Sequence, residues 1–128
     1  MAMNGNRSMA TICRFGGGFG WGHLTRCSVL NAEAKDRGWT TKLVTSSDFS
    51  GIPEDLRQPF DCVHQAPEIE NAESYRELII GDAVLVDDMY LPQTYFDTLN
   101  QMMKSRGEIP IIALDDLRQR PLRSVAMA

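Results

Sequence analysis

Met9-Ala-Thr-Ile-Cys-Arg-Phe15 runs straight into Gly16-Gly-Gly-Phe-Gly-Trp-Gly22, and the stretch from His23 to Arg37 then places its apolar residues at helical intervals. A β-prone run closed by a glycine turn and followed by a helix is the opening unit of an α/β sheet. Within the helical stretch, Leu24, Cys27, Val29, Leu30, Ala32 and Ala34 predict one or two buried faces, and Gly38 stands where a helix-terminating glycine is favoured. Trp39-Thr-Thr-Lys-Leu-Val-Thr45 follows at once and is rich in β-branched residues, which predicts a second strand.

The alternation continues downstream. Residues 46–59 read as a loop with at most one helical turn around Pro53 to Arg57, and Phe60 to Gln65 as a third strand. Ile69 to Ile80 has an acidic helical pattern whose first turn falls at Asn71 to Glu73. Ala83-Val-Leu-Val-Asp87 is wholly apolar until its closing carboxylate, as expected of a parallel strand covered on both faces. Pro92 to Arg106 spaces Tyr95, Phe96, Leu99, Met102 and Met103 as the core face of another helix, with Gly107 as its stop. Ile109-Pro-Ile-Ile-Ala-Leu114 is a fifth strand that again ends in acid, Asp115-Asp116. The whole pattern predicts a doubly wound α/β fold in one domain spanning residues 1–128.

Composition excludes several classes. With 128 residues, 43% of them apolar and 23% charged, the chain suits a soluble domain that buries about two thirds of its unfolded surface. No apolar run approaches the roughly 18 to 20 residues that span a bilayer, and residues 1–8 lack the apolar core of a signal peptide, so a cytoplasmic location is expected. Cys13, Cys27 and Cys62 are widely spaced and form no Cys-x-x-Cys pair, which argues for reduced thiols. The net charge of −4 divides unevenly, at +4 over residues 1–47, −10 over 48–98 and +2 over 99–128. A pI near 5.1 disfavours nucleic acid as a partner, whereas a small anion beside the basic first third is compatible with it.

In an open parallel sheet, ligands bind beyond the carboxyl ends of the strands where strand order reverses. For the common order 3-2-1-4-5, that crevice would gather Gly16 to His23, Asp87 to Leu91 and Asp115 to Arg118. The glycine segment does not spell a dinucleotide motif, because Gly16 and Gly18 are followed by Trp21, and Gly20 and Gly22 by Thr25. Nor is it a nucleotide P-loop, since His23-Leu24 stands where Lys and Ser/Thr are needed. It offers instead an imidazole in the first turn of a helix with Arg26 one turn on. The positive end of the helix disfavours a further positive charge there, which leaves His23 suited to accept a proton as a general base or, more blandly, to cap or pack. The pairs Asp87-Asp88 and Asp115-Asp116 could orient His23, bind a divalent cation or cap the following turns. Cys27 lies on the face of His23 without a third ligand nearby, so neither a metal nor a cofactor is expected. His64, in the weak third strand, reads as a surface or packed histidine.

Gly20-Trp-Gly-His-Leu-Thr-Arg-Cys27 closely resembles the G-x-G-H-x-x-R-C segment of the UDP-diacetamido-trideoxy-altropyranose hydrolases of pseudaminic acid biosynthesis and of their spore-coat polysaccharide relatives. Leu85-Val-Asp-Asp-Met-Tyr-Leu91 and Ile112-Ala-Leu-Asp-Asp-Leu-Arg-Gln-Arg-Pro121 are similar to two further stretches of that family. The resemblance implies the N-terminal, Rossmann-like half of a GT-B-like fold that hydrolyses an anomeric C–O bond of a UDP-sugar. It implies a catalytic role for His23 and substrate contacts from Gly20, Gly22, Arg26, Asp87 or Asp88, Tyr90, Asp115, Asp116 and Leu117. Gly16 stands where the family carries an acid after the first strand, and the UDP-binding lobe would follow residue 128. Positioning accounts for about 7 to 11 kcal/mol of such a barrier, so half of the cleft predicts feeble turnover alone. Two other readings fit the same residues: a glycosyltransferase-like domain whose acceptor meets His23, and a silent fragment that docks on a partner lobe or self-associates across the exposed cleft.

Overall fold

The computed structural model of the chain describes residues 7–88, 90–114 and 126–127. Six strands, β1 (Ser8–Cys13), β2 (Thr40–Thr45), β3 (Cys62–Gln65), β4 (Ala83–Asp87), β5 (Ile111–Ala113) and β6 (Ala126–Met127), form one sheet in the order β3-β2-β1-β4-β5-β6. Every pairing is parallel. The helices are α1 (Gly22–Asp36), α2 (Glu54–Arg57) and α3 (Gln93–Ser105). This is a Rossmann-like doubly wound α/β fold, and the switch in strand order falls between β1 and β4.

Side-chain alternation along each strand divides the core into two layers. Ile12, Val44, Val84, Val86, Ile111 and Ala113 pack with Tyr95, Phe96, Leu99, Met102 and Met103 of α3. Residues of opposite parity, among them Met9, Cys13, Leu43 and Leu85, pack with Leu24 and Cys27 of α1 on the other face. Pairing of Cys13 with Asp87 then brings the ends of β1 and β4 side by side.

Local chemistry sets where the elements stop. Gly38 adopts φ 90° after α1, its N–H reaches Lys35 O at 2.9 Å, and Trp39 N–H reaches Ala34 O at 3.0 Å. These two bonds form the Schellman arrangement, which needs a left-handed residue at the glycine position. The expected helix over Ile69 to Ile80 is instead a short 3₁₀ turn at Ala72–Tyr75. Ile69, Ala72, Tyr75 and Ile79 are buried against the α3 layer with Leu78 packed beside them, and the three-residue steps from Ile69 to Ala72 to Tyr75 match the 3₁₀ period over the short turn that forms. The Tyr75 hydroxyl fixes the segment further through Ile69 O at 2.6 Å and the Tyr95 hydroxyl at 2.7 Å. Burial pushes both phenols up. Pro92 precedes α3 rather than opening it, and β6 lies in a stretch with no strand signal of its own.

Asp61 joins β2 to β3 by accepting the Thr41 N–H at 2.8 Å, and Lys35 lies 3.3 Å away. Burial works to raise its carboxyl, but the Thr41 N–H and the Lys35 ammonium outweigh it and hold Asp61 below the usual carboxylate range.

Two outcomes are expected. Phe96, 1% exposed between α3 and the sheet, should cost about 3 to 5 kcal/mol of stability when replaced by Ala, measured by urea unfolding. A carboxyl depressed in the folded state stabilises above its unfolded value of about 4 and ceases to as pH falls through the folded value. Asp61→Asn should therefore lower the melting temperature at neutral pH and leave a shallower loss of stability below about pH 4.

Candidate active site

Asp87, the last residue of β4, has no exposed surface. Its side chain has the same parity as Leu85 and so points to the face that α1 covers. There it meets the first turns of α1. Asp87 Oδ1 lies 2.6 Å from His23 Nδ1 and 2.7 Å from Arg26 Nη2, and Oδ2 lies 2.9 Å from Arg26 Nε. The Cys27 thiol stands 3.6 Å from Oδ2.

This geometry assigns the protons. A carboxylate held by a two-point guanidinium contact is ionised and can only accept, so His23 donates through Nδ1 and its basic lone pair is on Nε2. Among the described residues, Asp87 is the ring's acceptor at Nδ1 at 2.6 Å; Arg26 Nη2, which can only donate, lies 3.4 Å from the same nitrogen and makes no bond to it once that nitrogen carries its proton. The contact with Asp87, more than the desolvation that opposes it, raises the Arg26 guanidinium further and keeps it charged. The Cys27 thiol is pushed well up by its hydrogen bond with Cys13 and by burial, so it is a packed thiol rather than a nucleophile.

Asp88 faces away from His23. It takes a two-point contact from Arg14, the residue after β1, through Nε to Oδ2 and through Nη2 to Oδ1 at 3.0 Å. Burial works to lower the Arg14 guanidinium, but its bond to Asp88 outweighs that and leaves it raised. The Tyr90 N–H donates to Asp88 Oδ1 at 2.9 Å. Arg14 also lies 4.8 Å over the Phe19 ring, and Phe19 meets the edge of Tyr90 at 5.5 Å. The glycine segment is thereby tied to the β4 end by a cation–π contact and an aromatic pair.

The segment itself is a compact turn. The Gly16 N–H reaches Gly20 O at 2.7 Å and the Phe19 N–H reaches Gly16 O at 2.8 Å. Gly16, Gly17 and Gly20 have φ of 72°, 50° and 72°, a region that side-chain-bearing residues rarely adopt. Gly22 opens α1, where the leading N–H groups lack partners within the helix. Trp21 and Tyr90, 42% and 59% exposed, place aromatic surface beside this opening. A polar cavity of about 430 Å³ adjoins Arg14 and is lined in part by Ser46, Glu70 and Asn71.

Of the site residues expected from sequence, the structure brings His23, Arg26 and Asp87 together and sets Asp88 and Tyr90 on the neighbouring Arg14 cluster. Arg26 engages Asp87 with both Nε and Nη2. Asp115, Asp116 and Leu117 lie outside the described residues. Among the described residues no group of three His, Cys, Asp or Glu could hold a metal ion, and no helix is long and apolar enough to cross a membrane. Arg14 and Phe19 were not singled out by sequence as site residues. The available signal was register: if Cys13 pairs with Asp87, the residues that follow each must also be neighbours.

Comparison with family models, curated proteins and solved structures gives no match.

Breaking a buried ion pair from one side leaves the other charge uncompensated. Asp87→Ala is accordingly expected to destabilise the chain by about 3 to 5 kcal/mol in chemical denaturation. A double-mutant cycle with Arg26→Ala should return a coupling energy of about 1 to 3 kcal/mol, whereas additive effects would mean that the two-point contact is energetically idle.

Proposed function

We propose that this chain is the catalytic-side half of a GT-B-like nucleotide-sugar hydrolase acting on a UDP-linked diacetamido-trideoxyhexose. The observation that carries this reading is the Asp87–His23 pair, at 2.6 Å, at the switch point of the sheet. Asp87 fixes the tautomer in which Nε2 is basic, and Arg26 holds Asp87 in place. His23 then takes a proton from water as the water oxygen bonds to the anomeric carbon and the C–O bond to UDP breaks. The bonding electrons leave with the diphosphate, so sugar and UDP are the products and no redox partner is needed. A positioned base of this kind contributes about 10² to 10⁴ in rate.

The family resemblance of the Gly20-to-Cys27 segment supports this choice of substrate. The aromatic surfaces of Trp21 and Tyr90 are suited to pack against a sugar ring. A second lobe that holds UDP belongs to the same reading, and turnover by this chain alone should be weak.

The test is UDP release from the UDP-sugar, with and without a UDP-binding lobe supplied in trans, in water labelled with heavy oxygen. Release should increase with the lobe, the label should appear in the sugar, and His23→Asn should lower the rate by about 10² to 10⁴. Label found in the UDP, or a rate unchanged in His23→Asn, would sink the mechanism. Preferential transfer of the sugar to an added alcohol would replace water by an acceptor and make the chain a glycosyltransferase-like domain.

A further inference from the structure

The rings of Phe19 and Tyr90 follow two different strands, β1 and β4, yet they meet edge to face at 5.5 Å. The contacts that hold them there form a closed circuit. Arg14, after β1, engages Asp88, after β4, through Nε to Oδ2 and through Nη2 to Oδ1 at 3.0 Å. Asp88 Oδ1 also accepts the Tyr90 N–H at 2.9 Å, an Asx-type contact that sets the backbone carrying the tyrosine ring. The circuit closes where the Arg14 guanidinium lies 4.8 Å over the Phe19 ring. Arg14 thus turns its edge to the carboxylate and its face to the aromatic ring, a division that a lysine ammonium cannot reproduce.

We infer that Arg14 and Asp88 are positioning residues for substrate binding: through Phe19 and Tyr90 they hold an aromatic platform for the apolar face of a sugar ring, while the neighbouring Asp87 serves the proton transfer. The choice of ligand rests on the hydrolase reading, whereas the platform itself does not. Phe19 sits in a turn whose Gly16, Gly17 and Gly20 adopt positive φ, and glycines leave a backbone the most freedom to lose. A ring on such a turn is fixed by what it touches outside the turn. The Arg14–Asp88 pair is buried, with side chains 12% and 1% exposed, and a buried ion pair offers little net stability over apolar residues of the same volume. Its distinctive result is geometric, since it sets rings from two separate segments at 73° to each other. Rings fixed before a ligand arrives lose little freedom on binding it.

The two consecutive aspartates then act on different steps. Alternation turns Asp87 toward α1 and His23, and Asp88 toward Arg14. A base takes up its proton only as the transition state forms, so the support that Asp87 gives His23 is read in kcat. A platform touches the sugar in the ground state and the transition state alike, and uniform binding of that kind is read in KM. Trp21 belongs to neither group, for its ring packs on Phe15 at 5.5 Å. Of the aromatic surface beside the glycine turn, the Arg14 circuit therefore governs Phe19 and Tyr90.

Two measurements on the full chain test the inference, with circular dichroism of each variant as the folding control. Titration with the free diacetamido-trideoxyhexose, followed by NMR of the Tyr90 ring, reads binding without turnover; UDP release with a UDP-binding lobe supplied in trans reads kcat and KM. Arg14→Ala and Asp88→Asn should abolish the nuclear Overhauser contact between the Phe19 and Tyr90 rings, weaken sugar binding and raise KM by about three- to tenfold. Their kcat should stay within about twofold. Arg14→Lys, which keeps the charge and loses the planar face, should not restore binding. Phe19→Leu breaks the circuit without unpairing a buried charge, so it should raise KM alike even where the charge variants fail to fold. Asp87→Asn should do the reverse and lower kcat with sugar binding kept. A sugar that leaves the Tyr90 ring unperturbed, or a Phe19→Leu chain with unchanged KM or a loss confined to kcat, overturns the inference, while UDP release that depends on His23 would still uphold the hydrolase reading. Sugar binding that depends on Arg14 and Phe19 in a chain that releases no UDP would remove the hydrolase reading and leave the platform standing.

Discussion

The Asp87 carboxylate, fully buried at the end of β4, fixes the relation between the sheet and the first helix. Several kcal/mol are lost when such a charge leaves water, and the loss is offset only by good geometry and satisfied lone pairs. Arg26 supplies a two-point contact and His23 a third bond, so both oxygens are engaged. An apolar residue could fill the same space without the desolvation cost. What the ion pair adds is orientation: it sets the rotation of α1 about its own axis and presents the histidine ring in one tautomer beside the glycine turn.

A second buried ion pair repeats the arrangement on the opposite face. Arg14 and Asp88 follow the last paired residues of β1 and β4, Cys13 and Asp87. Alternation therefore turns them away from α1. Through Phe19 and Tyr90 this pair anchors the glycine turn from the other side. Two consecutive aspartates thus hold two different structures, one of them the helix that carries the candidate base and the other the loop that leads into that helix.

Much of this architecture is legible in the sequence. The wholly apolar Ala83-to-Val86 run, the glycine stops at Gly38 and Gly107, and the core residues of α3 follow from the sequence because each depends on local chemistry or on a simple period. The segment after Ile69 differs from its sequence pattern because spacings of three and of three to four are hard to separate over a few residues, and the buried Tyr75–Tyr95 contact joins residues distant in sequence. β6 carries no signal of its own for a related reason: two residues at a sheet edge are defined by the neighbour they pair with.

Sequence by itself determined a parallel α/β fold with a histidine in the first turn of its first helix and acids at strand ends, since periodicity and turn chemistry are properties of neighbouring residues. It left Asp87 and Asp88 equivalent. Only the tertiary structure decided between them, because the choice depends on which sheet face α1 covers, and that is fixed by the packing of Leu24 and Cys27 against Leu43 and Leu85.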